Sequence, residues 1–153
     1  MLVVIPTRGS AALAQAPPTM SFVTLRKILF GDCDPAGIVY TPRIAYFVIE
    51  ATHDFLSHRL GGEGLRTLFA MGILPPARAL SIEFLSPMTW DEEIAIEVRC
   101  DEPKTSSFTF AVEGRQASGR VTFLATLTQV CICPETQQPV PLPDALRQAL
   151  SGP

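Results

Sequence analysis

The sequence predicts an α+β domain in which one long helix packs on a five-stranded, mostly antiparallel sheet. Three observations lead there. Apolar residues recur at helical spacing over a single long stretch, residues 42 to about 60. After Pro75-Pro76 the period changes, and four runs rich in Val, Ile, Phe and Thr follow. Their connections are short, which suits antiparallel neighbours, and a further strand-like run precedes the helix.

At 153 residues the chain is long enough for one good core, and no shift in composition marks a second domain. Residues 1–19 read as a disordered extension ahead of a single domain at 20–153. They carry no periodic apolar face, and the apolar run 2–5 is too short for the core of an export signal, so Met20 reads as the initiator.

The first strand spans residues 22–30, with Phe22, Leu25, Ile28, Leu29 and Phe30 as its apolar bulk. The run Phe30-Gly31-Asp32-Cys33-Asp34-Pro35-Ala36-Gly37-Ile38-Val39-Tyr40 follows. Gly31 and Gly37 relieve the backbone there, and Pro35 pushes Asp34 out of the α region, so the chain turns sharply. Thr41 offers an N-cap hydroxyl and Pro42 suits the first helical position. The helix then places Ile44, Phe47, Val48, Ala51, Phe55, Leu56 and Leu60 on one broad face and stops at Gly61-Gly62. A short helical turn at 64–71 ends at Gly72. Strands at 77–85, 92–100, 107–113 and 121–133 complete a meander-like sheet.

The loop at 30–40 is where chemistry is expected. A helix N-terminus presents unpaired N–H groups and a partial positive charge, which suits an oxygen that becomes negative during reaction. A carboxylate within a few residues supplies a base or nucleophile beside that site. The pairing points to acyl transfer or hydrolysis.

Other classes are disfavoured. The net charge is −3 and no basic cluster is present, which argues against nucleic acid as a partner. No apolar run reaches the ~20 residues that span a bilayer. The four cysteines, Cys33, Cys100, Cys131 and Cys133, read as reduced thiols of a cytoplasmic protein. Cys131 and Cys133 fall on one strand face as small hydrophobes, without clustered partners for a metal. His53 and His58, five apart, lie on different helix faces, and no GxSxG elbow is present.

The loop sequence at 30–40 resembles the active-site loop of the hot-dog acyl-CoA thioesterases, most closely the 4-hydroxybenzoyl-CoA thioesterase type. Pro42 leading a long helix, the junction at 84–91 and the proline-rich Pro139-Val140-Pro141-Leu142-Pro143 extend the likeness over roughly residues 20–150. The resemblance implies a hot-dog fold, with the sheet wrapped around the helix, and hydrolysis of an aryl or other acyl-CoA to free acid and CoA. It implies Asp34 as nucleophile or general base and backbone N–H donors along Gly37 to Thr41 toward the thioester oxygen, the key one being that of Thr41. Asp32, two residues earlier, reads as structural. Tyr40, Arg78, Lys104, Ser106 and Ser107 are the implied substrate and CoA contacts, with Arg78 serving the site or an interface. Glu50 is the alternative carboxylate, because a second hot-dog type uses a helix Glu; as a bare helix residue it reads as solvated. No metal or redox cofactor is implied, CoA being part of the substrate, and a homodimer or homotetramer is. Two other readings stand beside this one. A non-catalytic acyl-CoA-binding module would keep the groove without turnover, and a hot-dog dehydratase would need a His–carboxylate pair near the loop.

Overall fold

The computed structural model describes residues 21–152, so the extension expected at 1–19 lies outside the described residues. Five strands and three helices follow in the order β1 (Ser21–Lys27), α1 (Thr41–Arg59), α2 (Gly64–Ala70), β2 (Ala77–Phe84), β3 (Glu93–Cys100), β4 (Ser107–Gln116), β5 (Val121–Val130) and α3 (Asp144–Ser151). The strands form one sheet in the order β1-β3-β4-β5-β2, and every pairing is antiparallel. β3, β4 and β5 are the expected meander. β2 departs from it by pairing with β5, which leaves β1 and β2 as the two edges.

Helix α1 lies on one face of this sheet. Its buried stripe Ile44, Phe47, Val48, Ala51, Phe55 and Leu56 meets Ile94, Ile96 and Val98 of β3, Phe108, Phe110 and Val112 of β4, and Phe123, Ala125 and Leu127 of β5. Each strand contributes alternate residues, as a one-sided sheet must. Phe110 stands edge-on to both Phe55 and Phe108, a favoured aromatic geometry. Gly114 belongs to this packing too: a Cβ there would lie 2.2 Å from Cε1 of Phe123, so the ring fills the space a side chain would need.

Three boundaries differ from expectation. β1 ends at Lys27, and Phe30–Asp32 form a 3-10 turn, because the N–H of Leu29 is drawn to the Asp32 carboxylate. Helix α1 begins at Thr41, with Tyr40 as N-cap and Pro42 second, so Thr41 is not the cap. The cause is that the Tyr40 carbonyl already accepts the Arg43 N–H. β5 ends at Val130, which leaves Cys131 and Cys133 beyond the strand; Cys131 is buried and Cys133 is partly exposed. All four thiols are free.

Helix α3 is absent from the expectation. Its Leu146, Ala149 and Leu150 are buried after Pro143, a helical spacing that the proline-rich run before it masks.

Candidate active site

The loop between β1 and α1 is a small knot of backbone hydrogen bonds. The Asp34 N–H donates to the Ile38 carbonyl, the Gly37 N–H to the Asp34 carbonyl, and the Tyr40 N–H to the Asp32 carbonyl. The Val39 N–H donates to the carbonyl of Met88, tying the loop to the β2–β3 connection. Gly37 has φ +82°, a conformation that disfavours any side chain, and a Cβ there would come 2.9 Å from the Trp90 ring. The Thr89 hydroxyl donates to the Gly37 carbonyl at 2.8 Å. Gly37 therefore shapes the loop, and its own N–H is not free to meet a ligand.

Asp34 does two things at once. One carboxylate oxygen accepts the Ala36 N–H at 2.8 Å, the side-chain turn that Asp commonly makes. The other has no protein partner among the described residues. Nearby, the Thr41 N–H opens helix α1 and also has no acceptor among the described residues. A carboxylate with one free oxygen thus belongs to the same hydrogen-bonded loop that leads into an unengaged amide at a 19-residue helix's positive end. That amide donor is the one expected at Thr41.

A cleft of about 270 Å³ opens next to Thr41. Its walls are Ile38, Val39 and Ile44 on one side and Phe84, Leu85, Pro87 and Met88 on the other, with Ser86 adding a polar group. Its volume is close to the ~300 Å³ at which small-molecule sites begin, and polar and apolar surface share its lining about equally. Tyr40, half exposed, stands where the loop enters the helix.

Asp32 is structural, as expected, and more heavily engaged than its sequence context suggests. It is 2% exposed. Burial pushes its carboxyl up, but the Leu29 N–H, the Arg43 hydrogen bond and the charges of Arg26 and Arg43 outweigh that and hold it below its ordinary value of 3.8. A depressed value of this kind adds stability that is present above the ordinary value and lost as pH falls through the depressed one. Glu50 is not simply solvated: its carboxylate pairs with the Arg26 guanidinium. Burial holds the His53 imidazole below its ordinary value, and His58 packs on Phe22, 5.2 Å between centroids.

The remaining residues implied by the resemblance lie elsewhere. β1 runs antiparallel to β3 with Lys27 opposite Glu93, so the loop sits at the Glu93 end of β3. Lys104, Ser106 and Ser107 follow Cys100 at the far end, roughly 23 Å away at ~3.3 Å per residue. The Lys104 N–H closes that turn on the Ser107 carbonyl, and Cys131 donates to the Ser106 carbonyl. Arg147 of α3 braces it by donating to the carbonyls of Pro103, Lys104 and Thr105. Arg78 is exposed at the same far end, on a bulge between Ala77 and Ala79 where β2 slips against β5. Within one chain the two groups are not brought together.

Comparison with known proteins places the chain. The family described as the thioesterase-like superfamily matches residues 28–150. A 1,4-dihydroxy-2-naphthoyl-CoA hydrolase from Thermosynechococcus vestitus is 29% identical over 122 residues, covering 79% of this chain and 82% of the relative. A thioesterase-superfamily structure from Jannaschia sp. CCS1 is 32% identical with a TM-score of 0.80, covering 91% of this chain and 96% of the other. A 1,4-dihydroxy-2-naphthoyl-CoA thioesterase structure from Synechocystis shares the fold with a TM-score of 0.79 at 24% identity, covering 86% and 96%. With one helix laid across a five-stranded antiparallel sheet and these relatives along nearly its whole described length, the chain belongs to the thioesterase-like superfamily and is a hot-dog-fold hydrolase of thioester bonds.

Proposed function

We propose that the chain hydrolyses aromatic acyl-CoA thioesters to the free acid and CoA. The observation that carries this reading is that one tightly hydrogen-bonded loop holds both Asp34, with one carboxylate oxygen free, and the unengaged Thr41 N–H, and that Thr41 lines a cleft. The thioester carbonyl oxygen takes the Thr41 amide, where charge developing in the tetrahedral state meets the helix N-terminus. Asp34 either attacks the carbonyl carbon, expelling CoA and leaving an acyl–Asp34 anhydride that water then hydrolyses to acid and free carboxylate, or removes a proton from a water that attacks the carbon itself. In both cases the C–S bond breaks, the acid's new oxygen comes from water, and CoA leaves as the thiol with a proton that water gave up. The hydrocarbon side chains of Ile38, Val39, Ile44, Phe84 and Met88 give the cleft apolar surface for an acyl group. The relatives from Thermosynechococcus vestitus and Synechocystis, named for a naphthoyl-CoA, support the same class.

The site is completed by a second copy. β2 is an edge strand, exposed along nearly its whole length, with Leu80 and Phe84 40% and 51% exposed on the helix side of the sheet. A long apolar edge of this kind invites another strand. Antiparallel pairing of two β2 strands about a twofold axis sets the Ala77 end of one against the Phe84 end of the other. That brings the second copy's Arg78, Lys104, Ser106 and Ser107 toward this copy's Asp34, where they meet the CoA portion. A homodimer is therefore the smallest active unit, with a homotetramer as a further assembly. No helix among the described residues is long and apolar enough to cross a membrane, and a reaction on CoA thioesters by a chain with free thiols fits the cytoplasm.

A thiol-release assay over aryl, short-chain and long-chain acyl-CoAs tests the reading. Turnover highest on aryl thioesters is expected, and CoA binding without thiol release would leave a binding module instead. Light scattering on the same sample should show at least a dimer; an active monomer would overturn the shared site. Lys104→Ala should raise KM for all acyl-CoAs alike and leave kcat nearly unchanged, because a phosphate contact contributes the same binding before and in the transition state. Steady-state kinetics at low salt checks it.

A further inference from the structure

We propose that the Asp32–Arg43 pair is a positioning device for the reaction, setting the loop carboxylate against the helix N-terminus. The inference rests on the thioesterase reading above and assigns a role to residues outside it.

Four chain segments converge on one buried residue, three of them on its carboxylate. Oδ1 of Asp32 accepts from Arg43 Nε at 3.0 Å and Nη2 at 2.6 Å, the paired contact that a planar guanidinium makes and an ammonium does not. Oδ2 accepts the Leu29 N–H at 2.9 Å. The backbone carbonyl of the same residue accepts the Tyr40 N–H at 2.8 Å. Arg26 of β1 lies 3.6 Å from Oδ1 and pairs onward with Glu50 of α1. Asp32 is thereby fixed to the strand before the loop, to both ends of the loop, and to the first turn of the helix.

The placement matters for the chemistry. Asp34 is two residues from Asp32, and Thr41 is two residues from Arg43, so the pair spans the two groups that must face one thioester. The first turn of α1 has no side-chain cap, and Pro42 supplies no N–H there. The hydrogen bonds from Arg43 therefore hold that turn against the loop. Both guanidiniums are themselves set by aromatic faces: Arg26 lies 4.0 Å from the Phe47 ring centroid, and Arg43 lies 5.2 Å from that of Tyr46. Neither Asp32 nor Arg43 lines the cleft, so a change in the pair should alter alignment in the transition state more than binding of the ground state.

Arg43→Gln removes the charge and the fork, and Arg43→Lys keeps the charge alone. Each is assayed on the best acyl-CoA of the wild-type protein, with melting followed by circular dichroism. Val112→Ala, a buried core change on β4, provides a variant of lowered melting temperature remote from the loop. The expected result is a kcat lower by about 10-fold or more in both Arg43 variants with KM within about twofold of wild type, at a temperature where all are folded. Val112→Ala should melt lower and keep its kcat. Wild-type kcat in folded Arg43→Gln would overturn the inference, as would a loss that Val112→Ala reproduces. Should Arg43→Gln not fold, Arg43→Lys decides in the same way. A wild-type protein with no thiol release on any acyl-CoA would instead remove the thioesterase reading itself.

Discussion

Asp34→Asn should lower kcat by about 10²-fold or more while leaving the fold and substrate affinity in place. The geometry makes asparagine the discriminating replacement. Its side-chain carbonyl can still accept the Ala36 N–H that Asp34 Oδ1 accepts now, so the turn survives and only the negative charge and its nucleophilic oxygen are lost. A turn-capping role alone therefore predicts an active variant. The measurements are single-turnover thiol release and binding of a non-hydrolysable thioether of CoA. The companion Glu50→Gln should be mild, since Glu50 is engaged by Arg26 and lies away from the cleft. An active Asp34→Asn beside an inactive Glu50→Gln would move the chemistry onto helix α1.

The largest effect on stability is expected at Gly114. A valine there is well suited to a strand by propensity, yet its Cβ would have to occupy space 2.2 Å from a carbon of the fully buried Phe123 ring. The ring is held on the opposite side by the core, so β4 and β5 must separate or Phe123 must leave its position. Gly114→Val should cost about 2–3 kcal/mol, lowering Tm by roughly 5–10 °C. Gly31→Ala, which meets no atom within 4 Å, should stay within about 0.5 kcal/mol of wild type. Urea unfolding of the two variants side by side checks both; a Gly114→Val protein as stable as wild type would show that the sheet yields there.

Local signals carried most of the fold. The helical spacing from Ile44 to Leu56, the stop at Gly61 and Gly62, and the alternation of Ile94, Ile96 and Val98 are all properties of adjacent residues, and each appears in place. The position of β2 is different in kind. It depends on pairing with β5, some forty residues later, and a strand's own residues do not say which neighbour it takes. The candidate site divides in the same way. That Asp34, Gly37 and Thr41 share one turn was legible because loop and helix start are contiguous, whereas the Gly37 N–H being spent on the Asp34 carbonyl was not. Arg26 and Arg43 gave no signal, since a basic residue on a strand and one on a helix are ordinary until the fold sets both beside Asp32. The far position of Lys104 and Arg78 was equally hidden, because which end of a sheet a hairpin occupies follows from strand direction and not from its sequence.

That far position has a genetic consequence. If each reaction centre joins the Asp34 end of one protomer to the Lys104 end of its partner, then the two lesions Asp34→Asn and Lys104→Ala belong to different halves of every centre. Co-expressed, the two mutant chains form hybrid dimers in which one centre inherits both lesions and the other inherits neither. The hybrid should recover about half the wild-type rate at substrate concentrations below KM, where each parent alone is impaired. Two defective alleles would then complement each other, and a pair of lesions placed at the same end, Asp34→Asn with Gly37→Val, would not.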